Sequence, residues 1–241
     1  IILVGGGDPT LSRTAPGQQS VYRDAPKLST LAVGVNAKMA GTPITKIIVD
    51  GSLFTGPTWD ANWERSEQTQ GYMSEVTALQ VDGDRANPAS NTSPRSTTPV
   101  LNAGKYFKKA LGASASAATI VEGTAPSAAI EIAKVSSQPI SKWITHMLQV
   151  SDNTQAEALA RLVSLDQGFD GALVHTFKSG VSSYRNCCGI PVTSVNEPAR
   201  IDAIAGHESR GFFREVGSGE TEFAPTLVTV NYFTIDARQA T

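Results

Sequence analysis

Ser151, Asp152 and Asn153 set a hydroxyl, a carboxylate and a carboxamide on three consecutive residues. A hydroxyl within hydrogen-bond reach of a leaving nitrogen can pass it a proton without adding charge, and a carboxamide offers a donor and an acceptor on one planar group. Together the three offer groups for proton transfer and hydrogen bonding. The competing reading is a plain helix cap, because Ser151 or Asp152 can accept the free N–H groups of a following helix. Asp50, directly before Gly51, is a second candidate, against the common use of aspartate as a turn former. His146, His175 and His207 show neither i,i+4 pairing nor an H-E-x-x-H context, so no metal or other cofactor is expected. Cys187 and Cys188 are adjacent, a spacing that rarely satisfies disulfide geometry, and they say little about compartment.

The elements that must position these residues are partly readable. Residues 1–4 form a β-rich run stopped by three glycines. Residues 25–39 carry Leu28, Leu31, Ala32 and Val35 at amphipathic-helix spacing, ended by Gly41 and Pro43. A second β-branched run at 44–49 completes a β-α-β unit, for which parallel pairing and a right-handed crossover are expected. A loop rich in Gly, Pro and Trp follows over 51–71. Residues 75–81 have strand composition and end in an Asp82-Gly83-Asp84 turn; 86–99 read as a polar loop. A helix is predicted at 103–111 with Tyr106, Phe107, Ala110 and Leu111 on its inner face, then a strand near 118–121 and an apolar run at 128–135. Helices at 140–150 and 155–165 flank the Ser-Asp-Asn triplet, the second with Ala156, Leu159, Ala160 and Val163 at i, i+3, i+4 and i+7. Beyond residue 177 the pattern weakens to a strand at 192–196 and an ambiguous run at 227–235.

A chain of 241 residues with 40% hydrophobic and 17% charged residues is long and apolar enough to bury a core. Its net charge of −2 offers no electrostatic case for nucleic acid or an anionic membrane. No apolar run approaches the roughly 18 to 20 residues that span a bilayer. The first residues lack a basic region and a cleavage site, and a chain opening inside a strand is expected to be an internal fragment.

Several stretches together resemble one family, the D-alanyl-D-alanine carboxypeptidase/endopeptidases among the low-molecular-mass penicillin-binding proteins. Leu3-Val4-Gly5-Gly6-Gly7-Asp8-Pro9-Thr10-Leu11 is similar to its L-V-G-G-G-D-P-T-L signature. Asp50-Gly51-Ser52-Leu53-Phe54, followed by Gly56-Pro57, Trp59 and Trp63, looks like its D-x-S-x-F segment. Met147 to Asn153 with Ala156-Glu157-Ala158-Leu159-Ala160-Arg161 completes the run in the family's order. The resemblance covers residues 1–177 well and is patchy afterwards: where the family has a D-x-S-G-L turn, this chain reads Asp202-Ala203-Ile204-Ala205-Gly206-His207.

The resemblance implies an α/β fold: a partial serine transpeptidase/β-lactamase-like domain, its helical half at 73–241, with an inserted β-α-β domain at 1–72. It also implies an extracytoplasmic enzyme that trims peptidoglycan stem peptides ending in D-Ala-D-Ala and, in the complete protein, meets β-lactams. Family members combine S-x-x-K, S-D-N and K-T-G motifs. Here no lysine has a serine three residues before it, and no K-T-G occurs. Lys178-Ser179-Gly180 is read as a chance match, because it follows Ser151 too closely. By the resemblance, Ser151 relays a proton to the leaving group and Asn153 hydrogen-bonds the lysine and the substrate backbone. Asp50 and Asp152 are the substrate-binding positions: Asp50 to meet the free amine of the stem peptide's diamino acid, Asp152 with its side chain turned away to fix the loop. The expected function is a serine D-alanyl-D-alanine carboxypeptidase, this stretch alone being inactive. The alternatives are a non-catalytic stem-peptide-binding or scaffold protein that lost the nucleophile, or a plain α/β domain.

Overall fold

The computed structural model describes residues 1–166, 168 and 170–172. The chain divides into two compact units, Ile1–Gln138 and Pro139–Thr241. The readings for 192–196, 227–235, Lys178-Ser179-Gly180 and the two cysteines lie outside the described residues.

In the first unit, β1 (Ile2–Val4), β2 (Lys46–Asp50) and β3 (Thr119–Glu122) form a parallel sheet in the order β1-β2-β3. Ile2 is registered with Ile48 and Ile47 with Ile120. Parallel neighbours need a crossover, and α1 (Leu28–Met39) and α3 (Pro99–Leu111) supply the two helices. The predicted β-α-β unit is thus present as β1-α1-β2, and β2-α3-β3 repeats it. Leu28, Leu31, Ala32 and Val35 of α1 are buried, as their spacing predicts, and they meet Ile47, Val49 and Phe107 in one core. Residues on both sides of position 72 share that core and that sheet, so the compact unit runs on to Gln138.

Two glycines permit the close packing. A Cβ on Gly104 of α3 would lie 2.7 Å from both Ile120 Cγ2 and Val49 Cγ1, so the helix approaches the sheet only because that atom is missing. At Gly5, just past β1, a Cβ would run into the Ala78 carbonyl.

Residues 75–81 differ from expectation: they form no strand. Val76, Ala78, Leu79, Gln80 and Val81 are all buried, so the run has no solvent face to alternate with. It pairs instead with loops, through Gly7 N–H to the Ala78 carbonyl at 2.8 Å and Val76 N–H to the Thr58 carbonyl at 2.8 Å. The predicted turn does form, with Asp82, Gly83 and Asp84 at φ of 54°, 57° and 56°. Buried polar contacts hold it: Arg13 with Asp82 at 3.0 Å, and Ser96 N–H and hydroxyl to Asp84 Oδ2, each at 2.7 Å. α2 (Ser66–Gln70) lies in the loop between β2 and this turn. Trp59 and Trp63 there are buried and pack edge to face at 5.6 Å. The apolar run at 128–135 also forms no regular element.

The described part of the second unit is a helical hairpin, α4 (Ile140–Val150) and α5 (Asn153–Asp166). Trp143 and Ile144 of α4 close on Leu159 of α5, flanked by Met147 and Leu162. The buried face of α5 is rotated from the predicted one. Leu159 is shared, but Ala156, Ala160 and Val163 are only half-buried, whereas Thr154, Gln155, Glu157, Ala158, Arg161 and Ser164 are buried. Glu157 and Arg161, one turn apart, face each other at 3.0 Å and offset each other's charge there. Among the described residues no helix is long and apolar enough to cross a membrane.

Candidate active site

The Ser151–Asn153 triplet sits in the tight turn between α4 and α5. Ser151 ends α4 in the left-handed conformation, φ 56° and ψ 51°, and both its N–H and that of Asp152 donate to the Met147 carbonyl, the latter at 3.1 Å. This geometry closes a helix, but the position is normally taken by glycine. Ser151 is exposed, and its hydroxyl hydrogen-bonds no described residue.

Asp152 does the capping. Its Oδ1 accepts the Gln155 N–H at 3.0 Å, its carbonyl accepts the Ala156 N–H at 3.0 Å, and its side chain is buried. These contacts fix the start of α5, an arrangement the sequence allowed for either Ser151 or Asp152. Asn153 opens α5 half-buried, two residues after the exposed Ser151. A further tie was not legible in the sequence: His146 Nδ1 on α4 meets Gln155 Oε1 on α5 at 2.9 Å. Only a knowledge of how the two helices turn toward each other would have paired them.

Asp50 belongs to the other compact unit, at the carboxyl end of β2. It is buried to 4% exposure, with Oδ1 accepting the Ser52 N–H at 2.9 Å and Oδ2 the Ala125 N–H at 2.7 Å. Burial, the largest single influence, pushes its carboxyl pKa up. The hydrogen bonds from the Ser52 side chain, the Ala125 N–H and the Ser52 N–H together outweigh it, so the group stays below the ordinary carboxylate value. The Ser52 contact is the turn use weighed from sequence; the tie to Ala125, 75 positions on, is new.

Asp50 also lines a cavity of about 380 Å³ with Ser52, Thr58, Glu75, Thr77 and Glu122. Glu75 was not singled out in the sequence because it falls within a run read as a strand. It accepts from the Thr58 hydroxyl at 2.5 Å and pairs with Arg65, whose guanidinium lies 4.2 Å from the Trp59 ring centroid. A cation therefore already matches Glu75, while the groups that donate to Asp50, the Ser52 N–H and hydroxyl and the Ala125 N–H, are neutral.

Residues 1–93 and 83–196 match the D-Ala-D-Ala carboxypeptidase 3 (S13) family. The chain belongs to that family. A carboxypeptidase of Mycobacterium tuberculosis is 36% identical over 177 residues, which are 72% of this chain and 38% of the relative. The carboxypeptidase DacB of Mycolicibacterium smegmatis is 34% identical over 177 residues, with the same coverage of 72% and 38%. The chain thus spans well under half the length of these relatives. Among solved structures, penicillin binding protein 4 (dacB) of Haemophilus influenzae superimposes with a TM-score of 0.62 at 13% identity, over 88% of this chain and 63% of that one. That likeness gives this S13 member a penicillin-binding-protein-like α/β fold. The family is one of serine peptidases, and the Ser-Asp-Asn turn lies inside the second matched stretch.

Proposed function

We propose that this chain is part of an extracytoplasmic serine D-alanyl-D-alanine carboxypeptidase that trims peptidoglycan stem peptides through an acyl-enzyme. The observation that carries the reading is the Ser-Asp-Asn turn of an S13 family member, which holds an exposed serine hydroxyl in the left-handed conformation beside a capped helix. In this reading an S-x-x-K serine attacks the D-Ala carbonyl with its lysine as base, and neither motif residue is among the 241. The Ser151 hydroxyl passes a proton to the leaving nitrogen as the tetrahedral intermediate collapses. The Asn153 amide orients the lysine and the substrate backbone. Asp152 serves the site by capping α5. The Asp50 carboxylate receives the free amine of the stem peptide's diamino acid as a charge-assisted contact. In domain terms, the transpeptidase-like domain carries α4 and α5, and the β-α-β portion is its insertion. β-Lactams would acylate the complete protein.

Loss of a nucleophile–base pair costs on the order of a millionfold in rate, so the 241 residues alone are expected to be inactive. Intact-mass measurement after incubation with penicillin tests this: the 241-residue chain should remain unmodified and the complete gene product should gain one penicillin. A stable adduct on the short chain would refute the division of labour. The alternative reading is a non-catalytic stem-peptide-binding or scaffold protein that lost the nucleophile. A complete gene product that binds stem peptides but never gains penicillin would establish that alternative.

A further inference from the structure

Along one margin of the first unit runs a slot of about 750 Å³, walled on one side by residues 1–6 and on the other by residues 129–135. Leu11, Leu31, Val35 and Phe107 form its apolar floor. β1 is the outer strand of the sheet, and its inner edge is used: Gly5 N–H donates to the Asp50 carbonyl at 2.9 Å, and the Ile1 carbonyl accepts the Ile48 N–H at 2.9 Å. In a parallel pair alternate residues bond to one neighbour, so the N–H and C=O groups of Ile2 and Val4 face the slot.

The opposite wall is in the same condition. Its ends are tied, by Ala125 N–H to Asp50 and by the Ser137 hydroxyl to Asp8 Oδ2 at 2.6 Å. Between them, the backbone of residues 130–136 has no hydrogen bond to a described residue. Apolar side chains stand uncovered on both walls: Val4 is 58% exposed, Ile130 86% and Ile132 36%. A strand claims about 4.8 Å in the sheet direction and about 10 Å across it, so the slot would hold about 16 Å of strand, or about five residues.

Two facing rows of unpaired backbone groups over an apolar floor fit an extended peptide and no compact ligand. We propose that a strand of about five residues fills the slot in the complete protein, hydrogen-bonding β1 on one side and residues 130–135 on the other. We assign this strand to the same polypeptide, from the part lying outside these 241 residues. The matched stretch is only 38% of the length of the curated relatives, so sequence to supply it is available in such proteins. Its inward side chains should be uncharged and apolar, since Leu3, Leu31 and Phe107 offer no polar partner. An inserted strand would also give the apolar run at 128–135, which forms no regular element, a pairing partner.

The test is a photo-cross-link in the complete gene product carrying p-benzoylphenylalanine at Ile130, an exposed position outside the proposed active site. Peptide mapping should find the cross-link to a segment outside residues 1–241 within the same molecule. A cross-link to residues 1–241, one to a second copy, or none would overturn the proposal. Amide exchange supplies an independent reading without substitution. In the complete protein the Ile2 and Val4 amides should exchange about as slowly as the paired Ile48 amide; exchange about a hundredfold faster than Ile48 would overturn the proposal.

Discussion

Ser151→Gly should stabilise the helical hairpin while damaging catalysis. Ser151 occupies the left-handed region at φ 56°, where an L-residue costs about 1–2 kcal/mol and glycine nothing. Glycine returns about 0.5–1 kcal/mol of that by widening the unfolded ensemble. The exposed hydroxyl has no described partner to lose, so the net expectation is about 0.5–1 kcal/mol of added stability. Native-state exchange of α5 amides reads this directly, as a slowing of about two- to fivefold at Leu159 and its neighbours. Ser151→Ala keeps the backbone strain and should leave exchange close to wild type. In the complete protein both substitutions remove the proposed proton relay, which should slow penicillin acylation by about 10²- to 10⁴-fold. Glycine that speeds α5 exchange or leaves it unchanged would show that Ser151 is not strained. A glycine variant that acylates at the wild-type rate would remove the hydroxyl from the proposed chemistry. A serine held where glycine would be more stable is the pattern expected of a residue kept for chemistry.

Asp152→Ala removes the acceptor for a buried N–H and should cost about 1–2 kcal/mol in α5 stability, whereas Asp152→Asn, which caps equally well, should stay close to wild type. Equal effects of the two in α5 exchange would show that the cap is not what Asp152 contributes. Asp8 and Asp50 should respond to pH with opposite signs. Asp8 is pushed upward by burial despite the hydrogen bonds from Ser137 and Thr10. Folding therefore favours its protonated form, and stability is lost as pH rises above the ordinary carboxylate value of about 3.9. Asp8→Asn should raise the urea midpoint at pH 7 and leave it nearly unchanged at pH 3. Asp50 is held below its ordinary value, so its contribution is present at pH 7 and lost as pH falls through the folded pKa. Asp50→Asn should lower the midpoint at pH 7 and flatten its fall in acid; parallel pH profiles for the two variants would contradict the assignment of signs.

The parts of the fold legible in the sequence are those fixed by short-range spacing. Leu28, Leu31, Ala32 and Val35 declare α1 because a 3.6-residue period needs only a dozen neighbours to be visible. α4 begins and ends at the predicted residues, since Pro139 stands just before it and the Ser-Asp-Asn turn closes it. What stayed hidden depends on partners far along the chain. Strand composition at 75–81 could not reveal burial on both sides, and the apolar run at 128–135 could not reveal that no described strand lies alongside it. The inner face of α5 was misplaced for a related reason: an apolar count ignores Glu157 and Arg161, which enter the interior as a pair although neither would do so alone. The site followed the same division. Asp152 as a cap is a three-residue relation and was open to reading, whereas Asp50 with Ala125 and Glu75 with Arg65 require the tertiary fold. Since Asp50 fastens one end of residues 125–137 and Asp8 the other, both by carboxylates within family signatures, those signatures have a structural reason apart from catalysis. They hold both ends of the stretch that faces β1 across the slot, where the proposed strand would enter.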